Sequence, residues 1–378
     1  MMAKLIKMVG GAMLGLFSAL AHAEYALNLQ APQSPMASQI YDLHMMILWI
    51  CVVIFVVVFS AMFYSIYAHR KSVGHKAAHF HESTTVEIAW TVAPFIILMV
   101  MVWPATKTMI AMRNTPNPDM TVKITGHQWK WEYEYQKEGI KFISTLSTPQ
   151  DQIQGKADKG RNYLLEVDNP MVVPVGKKIR VVLTATDVIH SWWVPALGIK
   201  QDTIPGFIKD AWFSVGNPGT YRGQCAELCG KGHGFMPIVV EAMQQADYDK
   251  WVVAQKEKIA AAAAGAEKEW TKEDLISHGK EVYEKNCAVC HQANGQGLPP
   301  AFPPLTGSKI VAAPIFDAGG KVLPDSHLDR VLNGIRVMPA WKAILNDTDI
   351  AAVITYERNA LGNSVGDMVQ PAQVKALR

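Results

Sequence analysis

At 378 residues the chain is long enough for two or three domains. Its formal net charge of +3 is too small to argue for nucleic acid as a partner, and no Lys/Arg-rich run suggests one. Eleven tryptophans and eighteen methionines are many, and both types gather near the apolar segments and the Cys/His clusters.

The N-terminus has the form of a secretory signal. Lys4 and Lys7 precede a short apolar run, and Ala21-His22-Ala23 is a small-residue cleavage site. The run is short for a membrane anchor, so residues 1–23 are expected to be a cleaved signal peptide. Residues 45–68 and 88–106 then carry no charge, and each meets the roughly 20 apolar residues that a spanning helix needs. They predict a transmembrane hairpin within 24–112, with helices at about 44–68 and 87–111. The loop between them holds His69, Arg70, Lys71, His75, Lys76, His79 and His81, whereas no Lys or Arg lies between Lys7 and the first helix. The positive-inside rule therefore puts the loop in the cytoplasm and both flanking ends outside.

Past Asn114-Thr115-Pro116-Asn117-Pro118 the pattern changes to short β-like runs at 121–124, 129–135, 163–167, 179–183 and 238–240. Gly, Pro, Asn and Asp punctuate them, as in a small sandwich or barrel over 113–243, with a polar loop at 150–162. Residues 244–268 lead from charged positions into an alanine run and read as a helical or semi-rigid linker. A helical pattern follows over 269–362, broken by a Pro-rich loop at 298–305, with a tail at 363–378. The fold class is thus a multidomain membrane protein with a two-helix hairpin, a β domain and an all-α domain.

Of five cysteines, Cys51 sits in the first apolar helix and the others form two pairs, each beside histidine. The run Cys225-Ala226-Glu227-Leu228-Cys229-Gly230-Lys231-Gly232-His233-Gly234-Phe235-Met236 holds four soft or borderline ligands, and His190 ends a β-run upstream. Thiolate, thioether and imidazole together select copper. Two thiolates in one short loop suit the bridging of two metal ions, capped by the histidines, with Met236 and a backbone carbonyl as weaker ligands. Structural zinc in a Cys₂His₂ set is one competing reading and a Cys225–Cys229 disulfide the other. Zinc leaves Met236 without a role, and the disulfide leaves the histidines without one.

These residues carry a resemblance. Asp187-Val188-Ile189-His190-Ser191-Trp192, the cysteine loop with His233 and Met236, and Gly126-His127-Gln128-Trp129-Lys130-Trp131-Glu132-Tyr133 are similar to the CuA-containing subunit II of cytochrome c oxidase. The resemblance implies a cupredoxin-like β-barrel in which Cys225 and Cys229 bridge two coppers, His190 and His233 bind one each, Met236 is axial and Glu227 offers its carbonyl. It further implies a magnesium ion shared with subunit I through the Glu227 side chain, electrons entering at Trp129, and Glu87 near the mouth of a proton path in subunit I.

Cys287-Ala288-Val289-Cys290-His291 is the attachment signature of a c-type haem, with His291 as proximal iron ligand. Met338 is the expected distal ligand, and Met368 is its rival in the tail. The Pro-rich loop and the final helical run at 350–361 resemble class I cytochromes c, and the fusion resembles caa-type oxidases. The whole reads as an electron-transfer subunit of a respiratory haem–copper oxidase. Its implied partners are subunit I and other oxidase subunits, cytochrome c or another donor, and membrane lipid. Its implied location is the bacterial inner membrane, multi-pass, with both redox domains periplasmic. Oxygen reduction coupled to proton translocation belongs to subunit I, so no catalytic residue is expected here. A CuA-containing nitric-oxide reductase subunit and a copper-delivery protein are the alternative readings.

Overall fold

In a computed structural model of the chain, the described residues are 28–74, 76, 81–336, 338–342 and 344–378. The expected signal peptide at 1–23 lies outside them, as do His75 and His79 of the connecting loop.

Helix α1 (Pro35–Ala68) and helix α2 (Thr84–Met112) are long and apolar enough to cross a membrane. Side chains such as Trp49, Val57, Ile96 and Trp103 stand exposed along them, as lipid-facing residues do. Helix α1 starts well before the expected position near 44. Its 34 residues span about 51 Å, more than the roughly 30 Å of hydrocarbon, so one end emerges. Ser34 caps that end: its Oγ accepts from the Ala37 N–H at 2.9 Å and donates to the Leu197 carbonyl at 2.7 Å. Met36 and Ala37 are buried there. At the other anchor the Trp212 indole N–H donates to the Ala111 carbonyl of α2 at 3.1 Å.

The β domain comprises β1 (Met120–His127), β2 (Lys130–Tyr135), β3 (Ile140–Ser144), a short helix α3 (Gln150–Ile153), β4 (Met171–Pro174), β5 (Ile179–Ala185), β6 (His190–Val194), β7 (Ile199–Thr203), β8 (Lys209–Phe213), β9 (Gly219–Cys225) and β10 (Pro237–Met243). Two five-stranded sheets form, in the orders β3-β2-β1-β5-β8 and β4-β10-β9-β6-β7. Most pairs are antiparallel, but β1 runs parallel to β5 and β10 parallel to β4. Trp131, Tyr133, Tyr135, Trp192 and Phe213 fill the space between the sheets in a cupredoxin-like sandwich. Residues 163–167, expected as a strand, form turns instead. Leu164 takes φ 59° and the Leu165 N–H donates to Asn162, so only Val167 bridges, to Leu146. The apolar residues there gave the strand signal, but local turn hydrogen bonds decide the backbone.

The linker is one continuous helix, α4 (Gln245–Glu267). Trp251 of its first turns packs on Tyr135 and Phe142 of the β domain, and Tyr248 stacks against Trp251. At its far end Gly265 accepts from the Trp270 indole at 3.0 Å. The helical domain then holds α5 (Lys272–Asn286), α6 (Ala288–His291), α7 (Lys309–Ala312), α8 (His327–Asn333), α9 (Asp347–Asn359) and α10 (Pro371–Lys375). Helices α5 and α9 cross closely at Gly279, where a Cβ would lie 2.1 Å from the Ala352 carbonyl oxygen. The stretch 363–378, expected as a tail, packs onto this domain. Val369 and Val374 are buried, and Arg358 binds Asp367 at 2.6 Å. Its few apolar anchors are too widely spaced to show a helical period.

Candidate functional site

The first site lies in the connection from β9 to β10, whose ends are held together by antiparallel pairing of Gln224 with Pro237. Cys225 closes β9, a 3₁₀ turn carries His233, and Met236 precedes β10, while His190 opens β6 alongside. The ligand atoms of His190, Cys225 and Cys229 all lie within 4.8 Å of one another, and all three residues are buried. The two thiols are 3.8 Å apart. Cys229 Sγ lies 3.5 Å from His233 Nδ1 and 3.5 Å from Met236 Sδ, and Cys225 Sγ lies 3.3 Å from the Glu227 carbonyl oxygen. All six expected donors therefore converge.

The chemistry of this set fits copper. Both cysteines are free, with sulfurs well beyond the roughly 2.05 Å of a disulfide bond. The hydrogen bond between the two thiols pulls Cys225 below the usual thiol range and pushes Cys229 above it, so within the pair Cys225 is the first to lose its proton. His190 Nδ1 is buried without a hydrogen-bond partner. Its Nε2 is held by Asp187 Oδ1 at 2.8 Å, which fixes the ring and leaves Nδ1 for a metal. The thioether of Met236 within the cluster favours copper over harder metals. Asp187 thus joins the site as the partner that orients His190. Its position three residues before a histidine that opens a strand was the available signal.

Trp129 stands in the turn before β2, half-buried, and its indole N–H donates to the Cys229 carbonyl at 3.0 Å. The Gln128 amide donates to the same carbonyl at 3.0 Å. The ring lies so close to the copper loop that a Cβ on Gly232 would be 2.4 Å from it. Glu227 is exposed beside Leu228, which is 79% exposed. Glu87 lies far from this cluster in the chain, in the first turn of α2, where its carboxylate accepts from the Ser83 N–H at 3.4 Å.

The second site is a crevice of about 460 Å³ lined by Cys287, Cys290, His291 and Met338, among others. Its four expected residues are thus brought together, whereas Met368 does not line it. His291 Nδ1 is bonded to the Pro303 carbonyl at 2.9 Å, which fixes the ring and frees Nε2 as a ligand. Burial pushes both thiols up. Both line the crevice beside His291, an arrangement that suits covalent attachment of haem.

Comparison with known proteins places this arrangement. Three family profiles match: "Cytochrome C oxidase subunit II, transmembrane domain" over residues 22–107, "Cytochrome C oxidase subunit II, periplasmic domain" over 120–243, and "Cytochrome C oxidase, cbb3-type, subunit III" over 274–356. A cytochrome c oxidase subunit 2 of Alkalihalophilus pseudofirmus is 31% identical over 345 residues, covering 88% of this chain and 91% of that protein. A probable cytochrome c oxidase subunit 2 of Rickettsia bellii is 37% identical over 238 residues, covering 63% of this chain and 86% of that one. Among solved structures, the periplasmic domain of subunit II of cytochrome oxidase of Bradyrhizobium japonicum is 43% identical, with a TM-score of 0.35, covering 38% of this chain and 98% of that one.

Proposed function

Because the chain belongs to the cytochrome c oxidase subunit II family, we propose that it is the electron-transfer subunit of a haem–copper oxidase with its donor cytochrome built in. Membership brings copper and haem c as cofactors, other oxidase subunits as partners, and a membrane protein with a periplasmic domain. When bound, copper and haem c would supply one-electron transfer, so that this chain would pass electrons from an external donor to haem in subunit I, where oxygen is reduced to water and protons are translocated. The observation that carries the reading is the convergence of His190, Cys225 and Cys229 within 4.8 Å, in a chain that also brings Cys287, Cys290, His291 and Met338 to one crevice.

The residues divide the work. Cys225 and Cys229 would hold the copper pair, whose chemistry would be one-electron exchange with little geometric change. His190 and His233 would each hold copper, with Met236 and the Glu227 carbonyl as the remaining donors of the set. Trp129, bonded to the Cys229 carbonyl, is where electrons enter the copper domain. Cys287 and Cys290 anchor the haem, and His291 and Met338 ligate its iron. The exposure of Glu227 and Leu228 supports a face turned to subunit I, where the Glu227 carboxylate shares a magnesium ion. Both apolar helices cross the bacterial inner membrane among lipid, after removal of residues 1–23, and cytochrome c or another carrier supplies electrons. The boundaries at 24–112, 113–243, 244–268 and 269–362 then separate anchor, copper domain, linker and cytochrome domain.

The oxidase names of the relatives support this reading over a nitric-oxide reductase subunit or a copper-delivery protein. Absorption and EPR spectra of the purified oxidase containing this chain test it. They should show a c-type haem and a mixed-valence signal split by two copper nuclei. A single-copper signal, or zinc alone, would overturn it.

A further inference from the structure

Two lysines of the copper domain reach the cytochrome domain, and each adjoins the copper site in sequence. Lys130 opens β2 directly after Trp129 and is only 3% exposed. Its Nζ lies 3.6 Å from the centroid of the Trp341 ring and 3.5 Å from Asn286 Oδ1. Lys231 stands in the copper loop between Cys229 and His233. Its Nζ donates to the Val289 carbonyl at 3.3 Å and lies 5.3 Å from the Phe302 ring centroid. On the receiving side, Asn286, Phe302 and Trp341 all line the haem crevice, and Val289 stands between the two haem cysteines. The lysines therefore join the rim of one redox site to the loop of the other.

A lysine at this depth is rare unless partnered. Burial pushes the Lys130 ammonium down to about 7 against the opposing pull of Cys287 and Asp187, and its nearest partners are the indole face of Trp341 and the Asn286 amide oxygen. The linker supports the same placement. Helix α4 is packed on the copper domain at its start and bonded to Trp270 at its end, so it presents the cytochrome domain as a spacer rather than a loose tether.

We infer that Lys130 and Lys231 are positioning residues that pin the haem crevice to the copper loop and fix one orientation for electron transfer between them. In that step one electron leaves ferrous haem and reduces the oxidised copper pair by one, and no bond or proton moves. A tether alone raises effective concentration, whereas a pinned orientation also removes the search for a productive pose.

The inference rests on the relay reading, and its test separates the two. In the intact oxidase the haem is reduced by a laser flash, and its reoxidation is followed together with copper reduction. Amide hydrogen exchange over residues 286–291 is measured in parallel. Lys130→Met and the double variant with Lys231→Met should slow haem-to-copper transfer about tenfold and raise exchange in that segment, with copper spectrum and haem potential unchanged. Lys130→Arg should restore the parent rate, because a guanidinium also stacks on an indole. Parent rate and protection in both methionine variants would overturn the inference. So would slow transfer with an altered copper spectrum or haem potential, since Lys130 would then be shaping a site rather than the seam. A parent enzyme with no haem-to-copper transfer would instead sink the relay itself.

Discussion

At the scale of single residues, Asp187 does more than its sequence position announces. One carboxylate oxygen holds His190 Nε2 at 2.8 Å and accepts from the Val188 N–H at 2.7 Å, while the other accepts from the Gln128 N–H at 2.6 Å. One side chain thus orients a copper ligand and steadies the turn that presents Trp129. Asp187→Asn should lower copper affinity about 10–100-fold, as loss of a partner behind a metal-bound imidazole does. Chelator competition on the purified chain measures this, and copper retention equal to the parent would remove the role. The ligands themselves were legible because cysteine, histidine and methionine in one short loop have few other joint uses. Asp187 was harder to single out, since an aspartate near a strand end is common.

At the scale of elements, the cytochrome domain depends on the crossing of α5 and α9. Gly279 admits the close approach, and His278 fastens it through Asp349 at 2.7 Å in the first turn of α9. The hydrogen bond to Asp349 raises the His278 pKa above 6.5 despite burial. A raised histidine stabilises the fold fully below its unfolded value and loses that contribution as pH climbs through its folded one. Stability of this domain should therefore decline from about pH 6.5 upward by roughly 0.5–1 kcal/mol, a figure kept small because the pair is partly solvated. Thermal unfolding followed by haem absorbance across this range should show the decline in the parent and a flatter profile in His278→Gln. Equal slopes in the two proteins would refute it. The elements here were visible as a helical pattern, but the docked segment beyond residue 362 was not, because its anchors Val369 and Val374 contact partners remote in sequence.

At the scale of the whole molecule, the chain is a series of joined pieces. The emergent end of α1 is fastened to the copper domain through Ser34 and Leu197, and α4 fastens that domain to the cytochrome. Glu87 lies at the opposite end of the hairpin, in the first turn of α2 beside the loop assigned to the cytoplasm. Its hydrogen bond from Ser83 makes it a helix-capping residue, and an ionisable group at a membrane boundary is also suited to a proton path. Glu87→Gln separates these roles, because glutamine keeps an oxygen acceptor for Ser83 but cannot carry the proton. Proton uptake by the oxidase should slow about tenfold or more with the hairpin intact. An unchanged rate would leave Glu87 as a cap alone.

The sequence by itself determined the inventory: two apolar spans, a strand-rich stretch, a linker, a helical stretch, and two ligand clusters. Apolar length, alternation and ligand type are local properties, so they survive in one dimension. Only the tertiary structure decided that 163–166 forms no strand, that α1 extends out of its apolar span, and that the linker helix is docked. It alone brought Lys130 onto Trp341, 211 positions apart by their numbers (341 − 130). Nothing in the spacing of a lysine and a tryptophan announces a contact between domains, because such a contact exists only after both have folded and met.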